Sequence, residues 1–248
     1  MHVVILAAGV GQRLLPLTKE KPKAILALFH GSSLLSLSFR ALANTLTRTD
    51  KIVIVAGHGY QLLRKKVETL TKMFNLATTL VYNPKYRAAN NCYSLLLGLQ
   101  NHIDDDVCII NSDVLFDASI LDTITQTPHT ALCVDNIKQL TQESMKVQVI
   151  NNRAIDIGKK LNPANSFGEY IGLAKIQKKH VPALQNSLMQ VVNNNPEYFY
   201  EDAFRRIFAD IPFRIVPTNG LLWTEIDNTN DVQIAKDIYN RLRNKYVL

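Results

Sequence analysis

Residues 6–23 read Leu-Ala-Ala-Gly-Val-Gly-Gln-Arg-Leu-Leu-Pro-Leu-Thr-Lys-Glu-Lys-Pro-Lys and continue an apolar run that begins at Val3. A run such as 3–8 is what a strand buried on both faces of a parallel sheet requires. A glycine turn follows it at once. Gly9 and Gly11 let backbone N–H groups approach phosphate oxygens where a Cβ would collide, and Arg13 and Lys23 add full positive charge. A dinucleotide fingerprint needs a third glycine where Leu14 stands, and a P-loop needs Gly-Lys-Ser/Thr; the stretch has neither. An ordinary strand-to-helix turn needs none of Arg13, Pro16, Thr18 and Pro22-Lys23, so the run predicts a nucleoside triphosphate site of another kind.

Working outward, residues 52–56 repeat the apolar pattern before Gly57-His58-Gly59, and helices are expected around residues 34–46 and 62–74. Residues 80–82 read as a third strand, 94–99 as a leucine-rich helix and 107–110 as a fourth strand that delivers Asp113 beyond its carboxyl end. Alternating strands and helices imply right-handed crossovers and a ligand crevice at the carboxyl ends of the strands. After about residue 129 short strands follow at 132–135, 146–150, 154–157 and 170–176. Helices return at 181–192 and 200–209, then strands at 214–216 and 221–226. A last amphipathic helix carries Val232, Ala235, Ile238, Tyr239 and Leu242 on one face, with Asn230 and Gln233 as its expected cap. The fold class is therefore α/β, a Rossmann-like three-layer sandwich with a mostly parallel mixed sheet. It is read as one domain over 1–248, with a nucleotide-binding half at about 1–128 and an acceptor-binding half at about 129–248.

The chain has 248 residues, 47% of them apolar and 20% charged, which suits one large globular domain and leaves no linker or repeat to divide it. Nothing approaches the ~18 uninterrupted apolar residues of a membrane span, so a cytoplasmic protein without membrane insertion is expected. Cys92, Cys108 and Cys133 sit in apolar contexts without a Cys-x-x-Cys pair and read as buried reduced thiols. The net charge of +7 is spread over clusters at 64–66, 178–180, 205–206 and 241–245 rather than gathered on one motif. This favours attraction of anionic substrates over nucleic-acid binding. A monomer or a homodimer is expected.

Two aspartates, Asp113 in Asn-Ser-Asp and Asp227 in Trp-Thr-Glu-Ile-Asp-Asn, each follow a strand. Together they suit one Mg²⁺, a hard ion that takes few carboxylates plus phosphate oxygens and water. The alternative is that Asp113 caps a turn and Asp227 the last helix.

With these residues in place, the motif at 6–23 resembles the signature of the nucleotidyltransferases, the sugar-nucleotide pyrophosphorylase-like enzymes that join a nucleoside triphosphate to a phosphorylated small molecule. Tyr82-Asn83-Pro84-Lys85-Tyr86 and Asn90-Asn91-Cys92-Tyr93-Ser94-Leu95 resemble the branch that uses CTP on phosphocholine or 2-aminoethylphosphonate. The stretch 143–147 with Met145-Lys146-Val147, the stretch 157–161 and Gly168-Glu169-Tyr170-Ile171-Gly172 resemble that branch and some sugar-type relatives, and the stretch 223–231 resembles its final metal motif. The resemblance implies a nucleotide-diphospho-sugar transferase-like fold and a Mg²⁺-dependent cytidylyltransferase acting on CTP and a small phosphorylated acceptor.

Carried over, Leu6, Ala7, Ala8, Gly9 and Gly11 would hold base and ribose through the backbone, Arg13 and Lys23 the β and γ phosphates, and Asp113 and Asp227 the metal. Asn90, Asn91 and Ser94 would shape the nucleotide pocket, although an Asn-Asn pair is also a common helix cap. Lys146 and Lys159 would meet the acceptor phosphate, or be solvated lysines. Glu169 and Asp202 would face an acceptor amine, unless Glu201-Asp202 simply begins a helix, with Tyr93, Tyr170, Tyr200 and Trp223 offered for cation–π contact or for the core and Tyr170 counted among the acceptor-binding residues. Where the phosphocholine enzymes carry a tryptophan this chain has Ser144 or Met145, so a full aromatic cage is not expected. Two other readings remain: a sugar-1-phosphate nucleotidyltransferase using UTP, dTTP or CTP, and a nucleotide-binding module without catalysis.

Overall fold

The computed structural model describes residues 1–47, 49–100 and 103–243; Lys245 of the last basic cluster lies outside them. The chain runs β1 (His2–Ala7), α1 (Leu34–Thr45), β2 (Lys51–Ala56), α2 (Tyr60–Phe74), β3 (Thr78–Tyr82), α3 (Asn91–Gly98), β4 (Val107–Asn111), β5 (Val114–Phe116) and α4 (Ala118–Gln126). It continues through β6 (Ala131–Asp135), β7 (Lys146–Ile150), β8 (Arg153–Gly158), β9 (Gly168–Ile176), α5 (Val181–Asn194), α6 (Tyr200–Ile207), β10 (Arg214–Pro217), β11 (Trp223–Glu225) and α7 (Thr229–Leu242).

Among the described residues nine strands form one sheet in the order β3-β2-β1-β4-β9-β6-β10-β8-β7. Strands β3, β2, β1 and β4 are parallel, and β9 lies antiparallel between β4 and β6. The parallel half follows from the continuous apolar strands: Val3, Ile5 and Ala7 enter one core with α1, α2, α4 and α7, whereas Val4 and Leu6 enter a second core with α3, α5 and α6. Helices thus cover both faces of the sheet in three layers. The chain steps from β1 outward to β3 and returns on the other side of β1 as β4, which makes the carboxyl ends of β1 and β4 a topological switch point. The loop carrying Gly9 to Lys23 leaves one, and Asn111 to Asp113 leave the other.

Three local features differ from the sequence expectation. Helix α4 and the three-residue β5 occupy a stretch to which the sequence reading assigns no element, although Asp117 accepting from the Ser119 N–H, with Ile120, Leu121 and Ile124 buried, carries a helix signal. The strand expected over 221–226 contracts to Trp223–Glu225. Helix α7 is capped by Asn228, whose Oδ1 accepts from Asn230 and Asp231, while Asp231 Oδ2 accepts in return from Asn228; Asn230 and Gln233 do not cap it. All three cysteines are free and buried, and burial pushes the thiols of Cys92 and Cys108 up to about 12. Among the described residues no helix is long and apolar enough to cross a membrane.

One glycine lets β9 pass under the switch point. Gly172 adopts φ +81°, and a Cβ there would lie 2.7 Å from Asn111 Nδ2 and 2.9 Å from Asn111 Cβ. Left-handed strain and that overlap add, so Gly172→Ala is expected to cost about 2 kcal/mol. Thermal unfolding would register this as a melting temperature lower by about 4–8 °C.

Candidate active site

The site is assembled by the small ribbon of β5 and β11. Their antiparallel register sets Glu225 opposite Val114, and the Ile226 N–H donates to the Asp113 carbonyl at 3.0 Å. Residues more than a hundred positions apart therefore meet: one carboxylate oxygen from each of Asp113, Glu225 and Asp227 lies within 4.8 Å of the others. Asp231, besides capping α7, accepts from the Asp227 N–H at 2.8 Å and fixes the backbone that presents Asp227.

Two cations close on this cluster from the loop after β1. Lys23 Nζ lies 3.0 Å from Asp113 Oδ2 and 3.0 Å from Asp227 Oδ1, and Arg13 Nη2 donates to Asp227 Oδ2 at 2.8 Å. Burial works against the charge on Lys23, but Asp113 and then Asp227 outweigh it, so the ammonium holds its proton above the usual lysine range. Burial, with Asp113 and Asp227 alongside, pushes the Glu225 carboxyl up to about 8. A cluster of three carboxylates, Glu225 exposed and Asp113 and Asp227 half-buried, that has drawn a lysine between two of them is chemically suited to a hard divalent cation. Glu225 escaped the sequence reading; the signal was its spacing, since two residues apart on an extended chain place it on the same side as Asp227.

The loop itself is braced rather than free. Gly11 adopts φ +66°, its carbonyl accepts from the Thr18 hydroxyl at 2.8 Å, and His58 Nε2 pairs with the Thr18 carbonyl at 2.8 Å. Short 3₁₀ turns at Gln12–Leu14 and Lys23–Ile25 carry the two cations that reach the cluster. A Cβ built on Gly9 would meet nothing within 4 Å, so the backbone there borders open space.

That space is a cleft of about 920 Å³, a size suited to a nucleotide and a small second substrate. Leu6, Ala7, Ala8, Gly9, Gly11, Arg13, Lys23, Asn90, Asn91, Ser94, Asp113, Lys159, Tyr170 and Asp227 all line it. Asn90 caps α3 by accepting from the Asn91 N–H, and Asn91 Oδ1 accepts from the Tyr200 N–H at 3.0 Å, so the pair also ties α3 to α6. Ser94 accepts from Asn83 Nδ2 at 2.9 Å. At the far end Lys159 Nζ lies 3.4 Å from Glu143 Oε2 and 5.6 Å from the centre of the Phe199 ring.

Three predicted acceptor residues are placed elsewhere. Lys146 is fully buried, and its ammonium donates to the carbonyls of Thr141, Gln142 and Ser144 at 2.9, 3.2 and 3.0 Å, which uses all three protons inside the protein. Glu169 pairs in register with Lys146 and Asp135 on neighbouring strands, outside the cleft lining. Asp202 Oδ2 accepts from the Phe199 N–H at 3.0 Å and serves the start of α6. Its neighbour Glu201 lines the cleft instead, 4% exposed, with Oε2 lacking a hydrogen-bond partner. Among the aromatics, Tyr93 and Trp223 face Lys85 and Lys138 of the protein, at 5.0 and 3.7 Å. Trp223 Nε1 also donates to buried Asp135. The Tyr200 hydroxyl bridges Tyr170 and Asn111 beneath the cleft.

The mixed sheet, its switch-point crevice and the paired aspartates and cations define a nucleotide-diphospho-sugar transferase-like fold. The same fold is found in the inositol-1-phosphate CTP transferase from T. maritima, with a TM-score of 0.77 over 96% of each chain and 23% identity. The chain belongs to the family described as a domain of unknown function, DUF6564, which matches residues 23–155, more than half of its length. A choline-phosphate cytidylyltransferase from Haemophilus influenzae is 35% identical over 132 residues, 52% of this chain and 50% of that protein. A CTP:phosphoglutamine cytidylyltransferase from Campylobacter jejuni is 23% identical over 258 residues, 94% of this chain and 98% of that protein. These relatives bear out the resemblance to the nucleotidyltransferases. The chain spans about half the length of the first curated relatives it matches, 50% to 57%.

Burial, with Asp202 adding to it, pushes the Glu201 carboxyl from 4.5 up to about 8. A carboxyl raised on folding binds more protons in the native than in the unfolded state between those values, so its contribution to stability falls as pH rises through that window. Glu201→Gln removes the ionisation. In paired thermal melts the variant is expected to gain on the wild type progressively from about pH 5 to about pH 8; parallel curves would show that Glu201 does not titrate there.

Proposed function

We propose that this chain is a divalent-metal-dependent cytidylyltransferase that transfers CMP from CTP to a small phosphorylated amino alcohol or an aminoalkylphosphonate and releases pyrophosphate, as a cytoplasmic monomer or homodimer. The observation that carries the reading is the meeting of Arg13, Lys23, Asp113 and Asp227 at one cleft on the carboxyl ends of β1 and β4. Anion-binding groups and metal-binding carboxylates side by side are what nucleotidyl transfer needs and what simple nucleotide binding does not.

An acceptor phosphate or phosphonate oxygen attacks the α-phosphorus of CTP, the new P–O bond forms in line with the breaking one, and the electron pair leaves on pyrophosphate. No general base is needed, because a phosphate monoester with a second pKa of about 6 is largely dianionic near neutral pH. The obstacle is repulsion between two anions and their alignment. Arg13 and Lys23 draw the β and γ phosphates, Lys159 draws the acceptor phosphate, and the backbone at 6–11 receives base and ribose. Asp113, Glu225 and Asp227 would hold Mg²⁺, which supplies charge neutralisation for the leaving pyrophosphate.

Glu201 favours an acceptor that is cationic at its other end. A buried carboxylate oxygen without a partner is costly to keep, and an acceptor ammonium would provide that partner. Tyr170 and Phe199 line the same cleft, within reach of cation–π contact for such a group.

Pyrophosphate release should be measured for CTP, UTP, dTTP and ATP against phosphocholine, phosphoethanolamine, 2-aminoethylphosphonate and glucose 1-phosphate. Turnover is expected with CTP and the amino compounds; release only with the sugar phosphate would transfer the reading to a sugar-1-phosphate enzyme. In the same assay Asp113→Asn is expected to lower kcat by about 10²–10³-fold while the fold, followed by circular dichroism, persists. Undiminished turnover in that variant would remove Asp113 from the chemistry.

A further inference from the structure

Lys23 stands where a metal ion would be drawn. Its Nζ is equidistant, at 3.0 Å, from Asp113 Oδ2 and Asp227 Oδ1, and its side chain is only 14% exposed. Arg13 differs: it touches the outer oxygen of Asp227 alone and is 57% exposed. A small divalent ion bound to the same two oxygens at about 2.0–2.1 Å would lie within roughly 3 Å of an ammonium left in place, against strong like-charge repulsion. Either cation satisfies the carboxylates; both together do not. Lys23 is anchored by the turn at Lys23–Ile25 and by buried Ala24, so it is the long side chain, not the backbone, that is free to swing.

We propose that Lys23 is a removable counter-ion of the metal site, occupying the place between Asp113 and Asp227 in the nucleotide-free protein and yielding it when an arriving triphosphate gives the ammonium a new anionic partner. The inference rests on the reading of Asp113 and Asp227 as metal ligands. Its consequence is that metal and nucleotide load together. The nucleotide removes the competitor for the metal, and by reciprocity the metal releases Lys23 toward the nucleotide. It also makes the empty cluster self-neutralising, so the carboxylates stay gathered without any ion.

The test is a Mn²⁺ titration of the nucleotide-free full chain, followed by the electron paramagnetic resonance signal of free Mn²⁺, for wild type and Lys23→Met. The variant is expected to bind Mn²⁺ about tenfold more tightly, within the usual range of coupling between two sites. A second measurement needs no variant. Brief acetylation of the wild-type protein, read by peptide mass spectrometry, is expected to label Lys23 several-fold faster when Mn²⁺ is saturating, because the metal expels the amine from its carboxylates. Equal or weaker Mn²⁺ binding by Lys23→Met, or unchanged labelling of Lys23 in the wild type, overturns the proposal and leaves the metal reading standing. Failure of both proteins to bind Mn²⁺, with CTP present or absent, overturns the metal reading and this proposal together.

Discussion

Three carboxylates held within 4.8 Å of one another repel, and the cleft is organised around that constraint. The repulsion is tolerable only with cations at the same place. Arg13 and Lys23 supply them from a loop pinned by Thr18 and His58, and the β5–β11 ribbon supplies the carboxylates from two distant stretches of chain. Loosening either side leaves charge exposed to charge. The ribbon and the loop therefore depend on each other, although among the described residues no strand joins them.

A second constraint operates at the far end of the cleft. Glu201 is buried with an unpartnered oxygen and a raised pKa, a state that opposes folding whenever the group ionises. Such a residue sits poorly with packing alone. Under the proposed function its partner arrives with the substrate, and part of the cost of burying it is recovered on binding.

Much of the architecture was legible because it follows from local pattern. The run at 3–8 could only satisfy two apolar faces as a central strand, and Gly9, Gly11, Arg13, Lys23, Asp113 and Asp227 were readable because each stands at or just beyond a strand end. What escaped depended on burial and register, which spacing does not encode. Lys146 looked like a phosphate ligand, yet a lysine in a short strand turns inward when carbonyls await it. Asp202 was preferred to Glu201 by one position. The phase of α6, with Tyr200, Ala203 and Phe204 buried and Asp202 engaged at the helix start, decides between them. Glu225 shares a side with Asp227 by its spacing, but its approach to Asp113 follows from the ribbon's register.

The strut formed by Lys146 separates two properties of the loop it supports. Residues 141–144 are gripped through main-chain carbonyls, and a main chain gripped in this way keeps its course largely irrespective of which side chains it bears. Glu143, which reaches from that loop to Lys159 at the mouth of the cleft, is therefore replaceable without redrawing the path. Under the proposed function, a scaffold of this kind uncouples the side chains that meet the second substrate from the path of the loop that carries them.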